Sequence, residues 1–174
     1  GKARELPNIA PITRSILLSF LQTAATGDVN NVNVRAAAAA AGITVEEKKS
    51  DEPVSFNEWL HVAVYNGKEK VSAGGTFYGS PNNPRIVRVF SQPTEIVPSG
   101  VVLLMNNKDR PGIVGYIGTL MSKHGVNIAS MSLSRDAVGG EALTVLNLDS
   151  VPPNSVLDEI QKDPDISNVR VVKL

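Results

Sequence analysis

The chain has 174 residues, enough for one ordinary domain or two small ones, each near the lower limit for an independent core. Its 17 basic and 17 acidic side chains cancel, so no field of one sign recruits nucleic acid or an anionic membrane. With 42% hydrophobic and 20% charged residues the composition is that of a soluble folded protein; the absence of cysteine excludes disulfides, thiol catalysis and cysteine-ligated metal, and fits the cytoplasm.

No apolar run is long enough to span a bilayer, and none has the flanks of a signal peptide, so membrane contact is not expected. The chain opens at Gly1 rather than methionine, which points to a piece of a longer protein.

In chain order, Ile9, Ile12, Ile16, Leu17, Phe20 and Ala24 recur at helical spacing, predicting a helix from Pro7 to Thr26 that stops at Gly27. Val29 to Val32 reads as a short strand, Arg35 to Ala41 as a second helix stopped by Gly42, and Ile43 to Glu47 as a strand, a βαβ-like unit. Residues 48–55 read as a loop. Trp59 to Tyr65 and Glu69 to Phe77 alternate around Asn66-Gly67, a strong hairpin signal. Strands from Arg85 to Phe90 and from Thr94 to Val97 follow the polar turn Ser80 to Pro84. Pro98-Ser99-Gly100 marks a boundary, giving domains 1–98 and 99–174.

After it the pattern resets. Val101 to Met105 is a strand, Pro111 to His124 a helix with Ile113, Val114, Ile117, Leu120 and Met121 on one face, and Asn127 to Ser134 a strand. Gly139-Gly140 turns into the strand Ala142 to Leu148; Ser155 to Gln161 is a helix and Val169 to Lys173 the last strand. The order βαββαβ is the ferredoxin-like split βαβ sandwich: four antiparallel strands with two helices on one face and the other face left to water or a partner. The fold class is therefore α+β, a mixed or antiparallel first domain followed by this sandwich.

The chemistry concentrates at Asn107-Lys108-Asp109-Arg110-Pro111-Gly112, where a strand turns into a helix opening. Unpaired N–H groups at a helix start suit a small anion, Pro111 sits where the first helical residue has no N–H partner to lose, and Asn107, Asp109 and Asn127 supply short polar side chains. Asp109 reads equally as a helix cap, and Asn127 as the end of a Schellman turn begun at Gly125; on pattern alone the cap and ligand readings balance. Gly112, Gly115 and Gly118 superficially suggest a dinucleotide fingerprint. Their spacing is wrong for one, and close packing of helix on sheet explains them instead.

Arg85 and Arg88 are a weak anion-binding pair, since a separation of three puts them on opposite faces of an ideal strand. His61, in a strand, and His124, at a helix end, have no evident catalytic partner. No nucleophile–base pair and no metal constellation is present, so no catalytic and no metal-ligating residue is assigned.

These residues are familiar in combination. Asn107 to Gly112, Gly125-Val126-Asn127-Ile128 and Gly140 to Asn147 resemble an ACT domain, and more narrowly the carboxy-terminal domain of the D-3-phosphoglycerate dehydrogenase family. Val29 to Asn33, Ala41-Gly42-Ile43, Ala73 to Gly79 and Pro84 to Arg88 are similar to that family's intervening domain. The alanine run 36–41 departs from it. The resemblance implies the regulatory and oligomerisation half of an oxidoreductase of serine biosynthesis. NAD and the catalytic groups would belong to the missing part, leaving no cofactor here. It implies a homo-oligomer sensing a small amino acid, with L-serine favoured, at Asn107, Asp109, Pro111 and Gly112, with Asn127 contributed across a subunit interface. Some serine-sensitive members carry histidine at the position of Asn107 and asparagine at that of Asp109. The regulatory part of another amino-acid enzyme, such as a serine dehydratase, and a dimerisation scaffold with an empty site are the alternatives.

Overall fold

The computed structural model describes residues 5–24, 28–50, 59–79 and 83–174. Contacts divide the chain into two compact units, Gly1–Asn57 and Glu58–Leu174. The expected stop at Gly27 and most of the expected loop 48–55 lie outside the described residues.

The first unit holds helices α1 (Ala10–Ala24) and α2 (Val34–Ala40). The Asn8 side-chain oxygen accepts the Ala10 N–H at 2.9 Å and satisfies one orphan donor at the start of α1. Leu17 and Leu21 meet Val29, Val34 and Ala38 in a small core, with Leu18, Ala37 and Ile43 at its margin. Phe20, one of the periodic positions, is instead 39% exposed. The alanine run thus acquires a face: Ala38 is the buried member. Helix α2 ends in a Schellman turn, where Ile43 N–H donates to the Ala38 carbonyl and Gly42 N–H to that of Ala39, with Gly42 at φ +73°.

The βαβ-like expectation fails here. Residues 31–33 form a turn, and neither Val29–Val32 nor Ile43–Glu47 is a strand. Asparagine accounts for the first of these. The Asn30 side-chain oxygen takes the N–H groups of Val32 (2.9 Å) and Asn33 (3.2 Å), while the Asn33 oxygen takes the Asn30 N–H (2.8 Å). Side chains that bond the local backbone in this way compete directly with a sheet ladder.

The second unit carries two four-stranded antiparallel sheets. The first comprises β1 (Leu60–Asn66), β2 (Glu69–Phe77), β3 (Pro84–Val89) and β4 (Gln92–Ile96), in that spatial order. The hairpin falls where expected, but Asn66 pairs with Glu69, so Gly67 and Lys68 make the two-residue loop and Gly67 (φ +60°) supplies the positive φ that such a loop demands.

The second sheet comprises β5 (Val101–Lys108), β6 (Ile128–Arg135), β7 (Glu141–Leu148) and β8 (Ile166–Lys173) in the order β6-β7-β5-β8, with helices α3 (Ile113–Lys123) and α4 (Asn154–Gln161) between the strands. This is the expected βαββαβ sandwich. Leu103, Met105, Leu146 and Leu148 on one face of the sheet share a core with Ile113, Ile117, Leu120 and Met121 of α3 and Val156 and Ile160 of α4. Alternation along β5 and β7 sends Val102, Leu143 and Val145 to the other face.

That other face is not left to water or a partner. Val89 and Ile96 of the β3–β4 hairpin bury themselves against Val102, Leu143 and Val145. The Asn147 amide reaches from β7 to the segment after β4, accepting the Val97 N–H at 3.2 Å and donating to the Val97 carbonyl at 2.9 Å, so a side chain imitates a strand partner. Contacts accordingly place both sheets in one compact unit.

Two further expectations are corrected. An added Cβ at Gly115 or Gly118 would meet nothing within 4 Å, so these glycines face away from the sheet and are not there for close packing on it. Val114, expected on the buried face, is 48% exposed.

Candidate functional site

The turn after β5 is built by a relay of hydrogen bonds. Asn107, the seventh residue of β5, faces the helices and is buried. Its side-chain oxygen accepts from the Thr144 hydroxyl at 2.7 Å and its amide donates to the Lys108 carbonyl at 3.0 Å. A buried polar pair must be satisfied internally, and this one is. The turn then crosses to its neighbours: Lys108 N–H donates to the Asp165 carbonyl, and Asp109 N–H to that of Gly140.

Asp109 is not a helix cap. Gly112 holds the N-cap position of α3 at φ +91° with no side-chain cap bond, a conformation that explains glycine there. The Asp109 carboxylate turns instead to the β6–β7 hairpin, where its Oδ2 accepts from the Arg135 guanidinium at 2.7 Å and from the Gly139 N–H at 3.0 Å. These two donors, Gly139 first, hold its carboxyl below the usual aspartate range. A Cβ at Gly140 would overlap the Asp136 carboxylate, so a larger residue there would push that side chain aside. Arg110 points the opposite way and pairs with Asp163 and, at 2.8 Å, Asp165, tying the turn to the start of β8. Pro111 follows, exposed.

Asn127 lies at the far end of α3. Eleven helical residues span about 16 Å at 1.5 Å each, so within one chain Asn127 does not join Asn107, Asp109 and Gly112. Nor does it finish the Schellman turn. That role falls to Val126, whose N–H donates to the Met121 carbonyl while Gly125 N–H donates to that of Ser122. Asn127 is exposed, and its amide donates to the Asp149 carboxylate at 2.6 Å.

On the first sheet a β-bulge overturns the ideal-strand argument about the arginines. Arg85 pairs with Thr76 and Arg88 with Gly74, two residues apart on β2, so the extra residue of β3 brings both arginines to one face. Arg88 lies over the Trp59 ring, which covers Gly74 so closely that a Cβ there would sit 2.1 Å from it. Arg85 lies over Tyr78 and bonds the Asn83 side chain at 2.6 Å. His61 stacks on Trp59 with centroids 5.9 Å apart; burial, then Lys70 and Arg88, hold its pKa below the ordinary histidine value.

A family model described as the D-3-phosphoglycerate dehydrogenase intervening domain matches residues 1–90, and one described as the ACT domain matches residues 101–165. The chain belongs to the D-3-phosphoglycerate dehydrogenase intervening-domain family and continues into an ACT domain. Curated relatives named D-3-phosphoglycerate dehydrogenase include those of Synechocystis (33% identical over all 174 residues), Archaeoglobus fulgidus (30% over 165 residues, 94% of this chain) and Mycobacterium bovis (35% over 147 residues, 84% of this chain). The chain spans only 31%, 31% and 28% of their respective lengths and aligns with their C-terminal part. Among the described residues no helix is long and apolar enough to cross a membrane, and no group of acidic or histidine side chains is arranged to hold a metal ion.

Sequence reasoning found the turn but not its supports. Thr144, Arg135, Gly139 and the Asp163–Asp165 pair are remote in sequence from residues 107–112, and only the pairing of β5 with β7 and β8, and of β7 with β6, brings them near. The Gly139-Gly140 dipeptide was the one local signal, read only as a hairpin turn.

Proposed function

We propose that this chain is the regulatory and oligomerisation part of a D-3-phosphoglycerate dehydrogenase, sensing a small amino acid, most simply L-serine, where two ACT domains meet. The observation that carries the reading is the separation within α3: one copy sets Asn107, Asp109 and Gly112 at the helix start and Asn127 at the opposite end. A second copy arranged antiparallel would bring its Asn127 to the turn. Strand β6 is an outer strand of its sheet, and the exposed α3 surface at Val114, Gly115 and Gly118 has no side chain bulkier than valine to hold a neighbour away. Both features favour such an approach.

In this reading the helix-start N–H groups suit the ligand carboxylate, while Asp109 suits its ammonium. The oxidation of 3-phosphoglycerate and the NAD that accepts its hydride belong to the remainder of the parent enzyme, in a cytoplasmic setting consistent with a cysteine-free chain. The purified chain is therefore expected to give no saturable enhancement of NADH fluorescence; a saturable signal would refute that division of labour.

A scaffold without ligand is the second reading, favoured by Asn107, which is buried with its side chain bonded to Thr144 and to the Lys108 carbonyl. Calorimetric titration with serine, threonine, glycine and the branched-chain amino acids separates the two. Sensing predicts saturable heat with at least one of them. No heat and no thermal stabilisation at millimolar-range concentrations, which cover weak metabolite affinities, would leave the scaffold.

A further inference from the structure

We propose that Arg135 is a ligand-binding residue of the amino-acid site and that Asp109 and Arg135 act as one zwitterion-recognising pair, Asp109 taking the ligand ammonium and Arg135 its carboxylate. This rests on the reading of the turn as an amino-acid site and adds, beside the helix-start N–H groups, a charged partner for the ligand carboxylate.

The argument is one of remaining hydrogen-bond capacity. Asn107 is buried, with its side-chain oxygen on Thr144 and its amide on the Lys108 carbonyl, and the charge of Arg110 is matched by both Asp163 and Asp165. Asp109 uses only Oδ2, which takes both Arg135 and Gly139; among the described residues Oδ1 has no donor. Arg135 uses only one terminal nitrogen, and its Nε and other terminal nitrogen have no acceptor among those residues. The two side chains differ in setting: that of Asp109 is 16% exposed and that of Arg135 49%, so a sunken carboxylate lies beside an open guanidinium.

The open positions are therefore one anionic acceptor and a fork of cationic donors, side by side. An α-amino acid presents an ammonium and a carboxylate on one carbon. Both its charges are satisfied without breaking the existing ion pair, and the guanidinium fork suits a carboxylate bidentately. A plain amine leaves the Arg135 donors unmatched, and a plain acid brings a second negative charge to Asp109. The pair thus selects zwitterions over either half, as sites do when a missing ligand group strands a partner.

The test uses the full chain and two probes, L-serine and ethanolamine, which keeps the ammonium but lacks the carboxylate, with R135Q, R135K and N127A variants. Wild type should bind serine at least about tenfold more tightly than ethanolamine, R135Q should weaken serine by at least about tenfold and erase the preference, and R135K should recover part of it. A purely structural ion pair would weaken both probes alike in R135Q or lower only the melting temperature; either result overturns the proposal, as does R135Q binding serine like wild type. If serine binds and N127A weakens it while R135Q does not, the sensing site stands and only the role of Arg135 falls. If wild type binds neither probe, both fall.

Discussion

Leu146→Ala should destabilise the second unit by about 2–5 kcal/mol, the range for emptying a leucine site in a well-packed core. Leu146 has no exposed surface and stands on central strand β7, opposite Leu103 of β5 and Met131 of β6, with α3 and α4 over it. Its deletion removes contacts to both neighbouring strands and both helices at once, and the two paired strands cannot collapse into the void without breaking ladder register. Val114→Ala is the matched control. Val114 also belongs to the apolar pattern of α3, yet it is 48% exposed, so a change within about 0.5 kcal/mol is expected, helped by alanine's better helix propensity. Trp59, the sole tryptophan, sits in this unit against Gly74, so its fluorescence in urea at fixed protein concentration reports the relevant transition. Equal midpoints for the two variants would show that the core assignment is wrong.

The contrast between those two residues shows what the sequence made legible. A 3.6-residue period identifies a helix and its apolar side, but it leaves the buried arc uncertain by a residue either way, and Val114 fell at that edge. The second unit was readable because its apolar strand runs are separated by turns that carry their own chemistry, from Gly67 through Gly112 to Gly139. The first unit was less so. There the period was right for α1 and helix propensity for α2, but Asn30 and Asn33 capture the backbone assigned to a strand. What covers the far face of the second sheet was invisible, since Val89 and Ile96 look like any strand residues until the two sheets are placed together. The same limit applied at the site. Residues 107–112 announce a polar turn, but the bulge that turns Arg85 and Arg88 to one face, and the pairing that sets Arg135 beside Asp109, are properties of register rather than of any local string.

Asn127→Ala is the variant expected to move binding most without moving the fold. Asn127 is exposed and sits one residue beyond the completed Schellman turn of α3; its side chain makes a single bond, to Asp149, at the surface. Surface truncations of this kind cost little stability, so the state of assembly and the melting temperature of the unliganded protein should be preserved. If the proposed site is right, the same truncation removes a hydrogen bond to a charged group of the ligand, worth roughly 1.5–3 kcal/mol, or about tenfold to over a hundredfold in serine affinity. Arg85→Ala is the opposite control: its guanidinium is committed to Asn83, Tyr78 and, at 3.6 Å, Glu95 on the neighbouring strand β4, so serine affinity should be nearly unchanged. Calorimetry on both variants, with sedimentation equilibrium at tens of micromolar, a concentration of the order needed to populate a metabolic-enzyme dimer, reads binding and assembly separately. A wild-type chain that sediments as a monomer would remove the shared site altogether. A dimer in which Asn127→Ala binds serine as tightly as wild type would move the ligand away from the end of α3, because a residue about 16 Å from the turn in its own chain reaches that ligand only from the facing copy.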